Sequence, residues 1–184
     1  MPRGLTREQV VERAAELADA EGLGSLTLAA LASRLGVRTP SLYNHVDGLP
    51  DLRRRLGLRG LHELAERLRD ATLARGGGEG LLALATAYRA FARDHPGLYQ
   101  AIQQAPAPGD DERAAAGASV LAPLFAVLRS YGLEGDDALH AARGVRSAMH
   151  GFAELERTGG FGIDLDLDES YRRLVETLGA GLPS

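Results

Sequence analysis

Thr39, Ser41, Tyr43, Asn44 and His45 place five hydrogen-bonding side chains, none of them anionic, within seven consecutive positions. At the start of a helix, such groups can donate to and accept from base edges in a DNA major groove, and the free N–H groups there can meet phosphate. Leu42 and Val46 lie four apart in the same stretch, a spacing that anchors one helix face to a core and leaves the others polar. Asn44 and Thr39 are the expected base-edge contacts, with Ser41, Tyr43 and His45 on phosphate. Thr27 and Arg38, at the starts of neighbouring segments, extend the candidate surface, and Arg3 is a candidate for a minor-groove contact. Arg53, Arg54 and Arg55 follow within a few turns. Consecutive helix positions point apart, so at most two of these three can reach one backbone; Arg53 is the one assigned to phosphate.

Catalytic and metal chemistry find little footing. The five histidines, at 45, 62, 95, 140 and 150, show no i,i+3 or i,i+4 pairing with another ligand type in a metal-site pattern, and there is no cysteine to supply a thiolate. Neither a nucleophile elbow nor a glycine-rich phosphate loop is present. Asp164, Asp166 and Asp168 alternate as calcium ligands do, but the central glycine and terminal glutamate of a calcium loop are missing; Asp166 with Glu169 reads instead as a helix cap. No catalytic residue, metal or cofactor is expected.

The elements that must position the polar cluster can be read from caps and periodicity. Thr6 and Gln9 have capping-box spacing, and Val10, Val11, Ala14, Leu17 and Ala18 then recur at helical intervals up to Gly22 and Gly24. Thr27 caps a short helix carrying Leu28, Leu31, Ala32 and Leu35, which Gly36 stops. After the turn, Thr39 is placed to cap a third helix with Pro40 at its first position. Two short helices around a glycine turn, with another helix behind them, form a helix-turn-helix. From Pro50 a long helix runs to about Arg75, with Leu52, Leu56, Leu61, Leu64 and Leu68 on one side and Gly57 and Gly60 as points of flexure, and Gly76-Gly77-Gly78 breaks it. Further helices are expected at about 80–94, 97–104, 111–131, 135–157 and 167–180, with a kink or boundary at Pro123.

Composition agrees with an all-α class of about nine helices: aromatic content is 5%, tryptophan is absent, and alanine, leucine, arginine and glutamate recur throughout. A domain division at 1–50 and 51–184 follows. The net charge of −4 argues against indiscriminate coating of nucleic acid, yet residues 1–60 carry nine arginines against seven acids, whereas residues 61–184 carry twelve against eighteen. A basic end therefore sits on an acidic body. No apolar run reaches the length of a membrane span and the N-terminal residues lack the apolar core of a signal peptide, so a cytoplasmic protein is expected.

The run from Leu28 through Ala29-Ala30-Leu31-Ala32-Ser33-Arg34-Leu35-Gly36-Val37-Arg38-Thr39-Pro40-Ser41-Leu42-Tyr43-Asn44-His45 to Val46 resembles the DNA-binding signature of TetR/AcrR-family transcriptional regulators. Arg143–Phe152, Gly159-Gly160-Phe161-Gly162 and the last amphipathic segment are similar to the subgroup with a Trp-His-Gly type C-terminal domain, with Met149 where that motif has tryptophan. Leu49 departs from the pattern, standing where many members place a phosphate-facing lysine.

The resemblance implies a homodimeric repressor that binds a near-palindromic double-stranded operator and is released by a small organic effector, apolar or weakly polar. The expected pocket walls are Tyr88, Phe91, Phe125, Met149, His150 and Phe152. For the dimer, Ala141, Gly144, Ala148, Gly151 and Leu155 form a small-residue stripe, facing Tyr171, Leu174, Val175 and Leu178 on the last helix. The alternative from another class is an all-α protein-interaction module whose helix-turn-helix reads no DNA.

Overall fold

Thr6 sets the head of α1 (Arg7–Glu21): its hydroxyl accepts from the Gln9 N–H at 3.3 Å, and Gln9 Oε1 accepts from the Thr6 N–H at 3.0 Å, closing the capping box. A 3-10 turn, Leu23–Ser25, leads to α2 (Leu28–Leu35), where the Thr27 hydroxyl caps Ala30 N–H at 3.1 Å. Gly36 ends α2 in the left-handed region, φ 67°, which the missing side chain permits. Then come α3 (Thr39–Leu42), α4 (Gly48–Thr72), α5 (Gly77–Asp94), α6 (Pro96–Ile102), α7 (Asp111–Arg129), α8 (Gly135–Arg157) and α9 (Leu167–Ala180). These nine helices, with no strand, make up the regular structure of residues 5–183, which the computed structural model describes.

Three local expectations change. Thr39 is the first helical residue of α3, and the cap position falls to Arg38, which makes no side-chain capping bond. The triple glycine is not a simple break: α5 begins at Gly77, whose N–H donates to Ser130 Oγ at 2.7 Å, and that hydroxyl donates to the Val127 carbonyl at 2.6 Å. Pro123 lies inside α7, which runs past it without a boundary.

The chain forms two compact units, each discontinuous in sequence, so the packing boundary differs from a division at residue 50. The first comprises the chain up to His62 together with Asp94–Ala114. Its core joins Val10, Ala14 and Ala18 of α1, Leu31 of α2, Leu42 of α3 and Leu52 and Leu56 of α4 with Leu98 and Tyr99 of α6, all buried. Asp19 of α1 caps α6, its Oδ1 accepting from Gly97 N–H at 2.8 Å and Leu98 N–H at 3.1 Å, while Oδ2 lies 3.0 Å from His95 Nδ1. Buried Arg113 donates from Nη2 to the carbonyls of Ala101 and Gln104 at 2.8 and 3.0 Å, closing the other end of α6. Gly57 and Gly60, read from sequence as flexure points, are sites of close approach. A Cβ at Gly57 would fall 1.8 Å from Arg113 Nη1, and one at Gly60 would fall 2.7 Å from Ile102 Cγ2.

The second unit comprises Glu63–Arg93 and the chain from Ala115 onward. Leu64 and Leu68 of α4, Leu81, Leu84 and Phe91 of α5, Val127 and Leu128 of α7, Val145 of α8 and Val175 of α9 are buried in it. Tyr171 donates its hydroxyl to the Ala85 carbonyl at 2.9 Å, and that burial pushes the phenol well above its ordinary pKa. Asp166 caps α9 as expected, accepting from the N–H groups of Asp168 and Glu169. Glu169 is held at about 2 by Arg172 and Arg173.

Candidate nucleic-acid interface

Leu42 and Val46 are buried, 0% and 2% exposed, and fix the polar segment to the first unit. Beyond α3 the chain keeps turning with bonds to the third residue back: Tyr43 N–H to Pro40 O, Asn44 N–H to Ser41 O and His45 N–H to Leu42 O, at 3.3, 3.4 and 2.9 Å. Three residues per turn eclipses positions i and i+3, so Ser41 and Asn44 stack along one edge. Arg7 Nε donates to the His45 carbonyl at 2.9 Å and braces the end of this segment from α1. Arg38, Tyr43 and Asn44 are exposed, Tyr43 at 59%, while Thr39, Ser41 and His45 are half-buried. With more than half of its surface exposed, the Tyr43 side chain is open to contact. Thr27 is exposed beside them, although its hydroxyl already caps α2.

The three consecutive arginines separate cleanly. Arg54 forms a fork to Asp110, with Nε and Nη2 at 2.7 and 2.6 Å, and also reaches Glu112; this guanidinium holds the Asp110 carboxyl below its ordinary range. Arg55 pairs with Asp51 at 2.9 Å. Arg53 is half-buried, and its Nε is the one buried side-chain polar atom without a hydrogen-bond partner among the described residues. Leu49, half-buried in the first turn of α4, leaves the usual lysine position without a charge. Arg3 lies outside the described residues. The contacts of Asp19, His95 and Arg113 with α6 and its ends were not expected from sequence, because neither spacing nor composition shows which polar side chain meets a partner across space.

The family model described as Tetracyclin repressor-like, C-terminal domain, matches residues 81–178. An HTH-type transcriptional regulator of Mycobacterium tuberculosis, Rv0681, is 44% identical over 182 residues, covering 98% of this chain and 83% of that protein. The chain belongs to the TetR family. YobS of Bacillus subtilis, another HTH-type transcriptional regulator, is 37% identical to this TetR-family protein over 97% of the chain and 93% of its own length. The fold is that of a TetR variant from Acinetobacter baumannii AYE solved in complex with minocycline, at 22% identity, TM-score 0.71 and 96% of each chain. Membership makes the chain a transcriptional regulator and decides against the interaction-module alternative; it points away from enzymes. Among the described residues no helix is long and apolar enough to cross a membrane.

In this TetR-family regulator the expected pocket residues are dispersed within the second unit. Tyr88, Phe91, Met149 and Phe152 are buried, whereas Phe125 and His150 are half-buried. Phe125 lines a cleft of about 320 Å³ with Leu133 and Leu139, and none of the six lines a second cleft of about 340 Å³ between α5 and α9. Phe152 packs instead on Phe161 and Tyr171, ring centroids 4.7 and 4.8 Å apart. Of the expected dimer face, Tyr171 and Val175 are buried within the single chain, 3% and 2% exposed, and have no surface to offer a partner. Gly144 and Leu155 are exposed, while Ala148, Gly151, Leu174 and Leu178 are half-buried.

Proposed function

We propose that this regulator is a homodimeric repressor of the subgroup with a Trp-His-Gly type C-terminal domain. It reads a near-palindromic operator and is released by a small apolar or weakly polar organic effector bound in the second unit. The observation that carries the reading is the non-anionic segment 38–45, exposed at Arg38, Tyr43 and Asn44 and held on the buried anchors Leu42 and Val46. In the assignment, Asn44 and Thr39 meet base edges, while Ser41, Tyr43, His45, Thr27, Arg38 and Arg53 meet the phosphate backbone. Arg53 stands in this assignment in place of the lysine absent at Leu49; its Nε is buried, so the contact falls to the terminal guanidinium nitrogens. The repressor-like family match and the minocycline held by the A. baumannii protein support repression and effector release.

Selection of bound sites from randomised duplex DNA tests the whole reading: it should return inverted half-sites about 34–36 Å apart along the duplex. Binding should weaken steeply as salt rises. Asn44→Ala is expected to relax preference at one operator position by about 1–3 kcal/mol. Tyr43→Phe should weaken all sequences alike. If both variants keep wild-type affinity and preference, segment 38–45 is not the reading head.

For the dimer, the surface left after Tyr171 and Val175 are withdrawn is Gly144, Ala148, Gly151 and Leu155 of α8 with Leu174 and Leu178 of α9. Space around Gly144 and Gly151 is open, as a face that admits a partner's close approach requires. Replacing Leu174 and Leu178 by Glu should give a monomer in analytical ultracentrifugation and abolish tight operator binding. An intact dimer would move the interface elsewhere.

A further inference from the structure

We propose that the cleft between α5 and α9 binds an organic carboxylate, with Arg89 Nη1 as the recognition group and the Asp168 side chain as an internal carboxylate that the ligand displaces. The site lies apart from the six residues expected to line the effector pocket. Binding at it stands independently of the effector reading, and only its consequence for operator affinity rests on that reading.

Arg89 is 7% exposed and its orientation is fixed from three sides. Its Nε and Nη2 donate to the two carboxylate oxygens of Glu156, both at 2.7 Å, and its guanidinium lies 5.3 Å from the Phe152 ring centroid and 5.1 Å from that of Tyr171. A fork so held presents its remaining nitrogen in one direction. Nη1 faces the cleft, where Asp168 Oδ1 stands 2.8 Å away. The same oxygen is 3.9 Å from Arg93 Nη1, so one carboxylate position is shared by two guanidinium groups.

Nothing else holds Asp168 there. Its side chain is 76% exposed, and the helix start it sits on is capped by Asp166 rather than by its own carboxylate. An ion pair whose carboxylate end is this exposed has water at hand to replace that carboxylate. The third arginine of the cleft, Arg172, is engaged by Glu169 and Glu176, which confines the anionic ligand to the Arg89–Arg93 side. The remaining wall is largely apolar, with Leu82 and Ala90 of α5 and the ring of Tyr171, and the volume of about 340 Å³ is at the small end of ligand sites. A planar monocarboxylate on a compact apolar body matches both parts; a cation or a neutral alcohol matches only the second.

Octanoate is the probe, with octanol and octylamine as controls, titrated calorimetrically into the full chain. Octanoate should bind at least tenfold more tightly than either control. Asp168→Asn should tighten octanoate several-fold and leave octanol unchanged, a gain that misfolding cannot produce, and Arg93→Gln should weaken octanoate. Octanoate binding no better than octanol, or unaltered by Asp168→Asn, overturns the proposal. Operator affinity measured with saturating octanoate separates the two readings. Carboxylate binding that leaves DNA affinity unchanged upholds the site and removes it from the release mechanism. Absence of octanoate binding, while another molecule releases DNA, overturns the site and leaves effector release standing.

Discussion

Gly97→Ala should destabilise the protein by about 3 kcal/mol or more, as overpacking against an unyielding neighbour does at the upper end of its range. The new methyl would fall 2.3 Å from the Ala18 carbonyl carbon and 2.5 Å from its oxygen, atoms of α1's own backbone that cannot swing aside as a side chain would. Relief requires α6 to move off α1, which would strain the bonds from Gly97 and Leu98 to Asp19 and carry α1 away from its support. Urea denaturation measures the loss, and operator affinity should fall with it, since α1 braces the end of segment 38–45 through Arg7. Gly117→Ala supplies the opposite sign. That glycine is inside α7 with nothing within 4 Å of the added carbon, so the replacement should stabilise by about 0.4–1 kcal/mol. Equal effects of the two substitutions would contradict the close α1–α6 packing.

Arg89→Leu is expected to cost about 3–5 kcal/mol, because it strands the Glu156 carboxylate, whose side chain is only 17% exposed, without its partner. Two aromatic faces lose a cation at the same time. Replacing Arg89 and Glu156 together by Leu should recover most of that loss, since removing both charges leaves nothing unpaired. The coupling in this double-mutant cycle is the measurement. Single costs that simply add would mean the pair is solvated, and the fixed orientation of Arg89 would lose its basis.

Most helices of this fold are legible in the chain because their signals are local: Thr6 with Gln9, Thr27 before α2, Gly36 after it, and leucines at helical spacing from 52 to 68. The polar segment 38–45 is legible for the same reason, since its anchors and its polar residues share one short stretch. What spacing cannot carry is the identity of the partner across space. Gly57 and Gly60 read as weak points in a helix, but the neighbours that explain them, Arg113 and Ile102, lie more than forty residues away. Nothing local in the sequence marks Arg89 and Arg113 as buried, since their carboxylate and carbonyl partners come from other helices. Tyr171 and Val175 show the same limit: an apolar helix face says that something covers it, not whether the cover is the same chain or another.

The discontinuity of the first unit constrains the order in which a nascent chain can finish it. Segment 38–45 leaves the ribosome early, but the α6 residues that complete the surroundings of α1, and the Arg113 that closes α6, follow some fifty to seventy residues later. During synthesis at about 5–20 residues per second, segment 38–45 therefore waits several seconds with Ala18 and its neighbours uncovered. By the time α6 arrives, the whole of α4 and α5 has already emerged. The first unit is thus completed during translation only after much of the remaining chain has been made, and a hybrid regulator that exchanges the first three helices alone would separate them from the helix that seals their core.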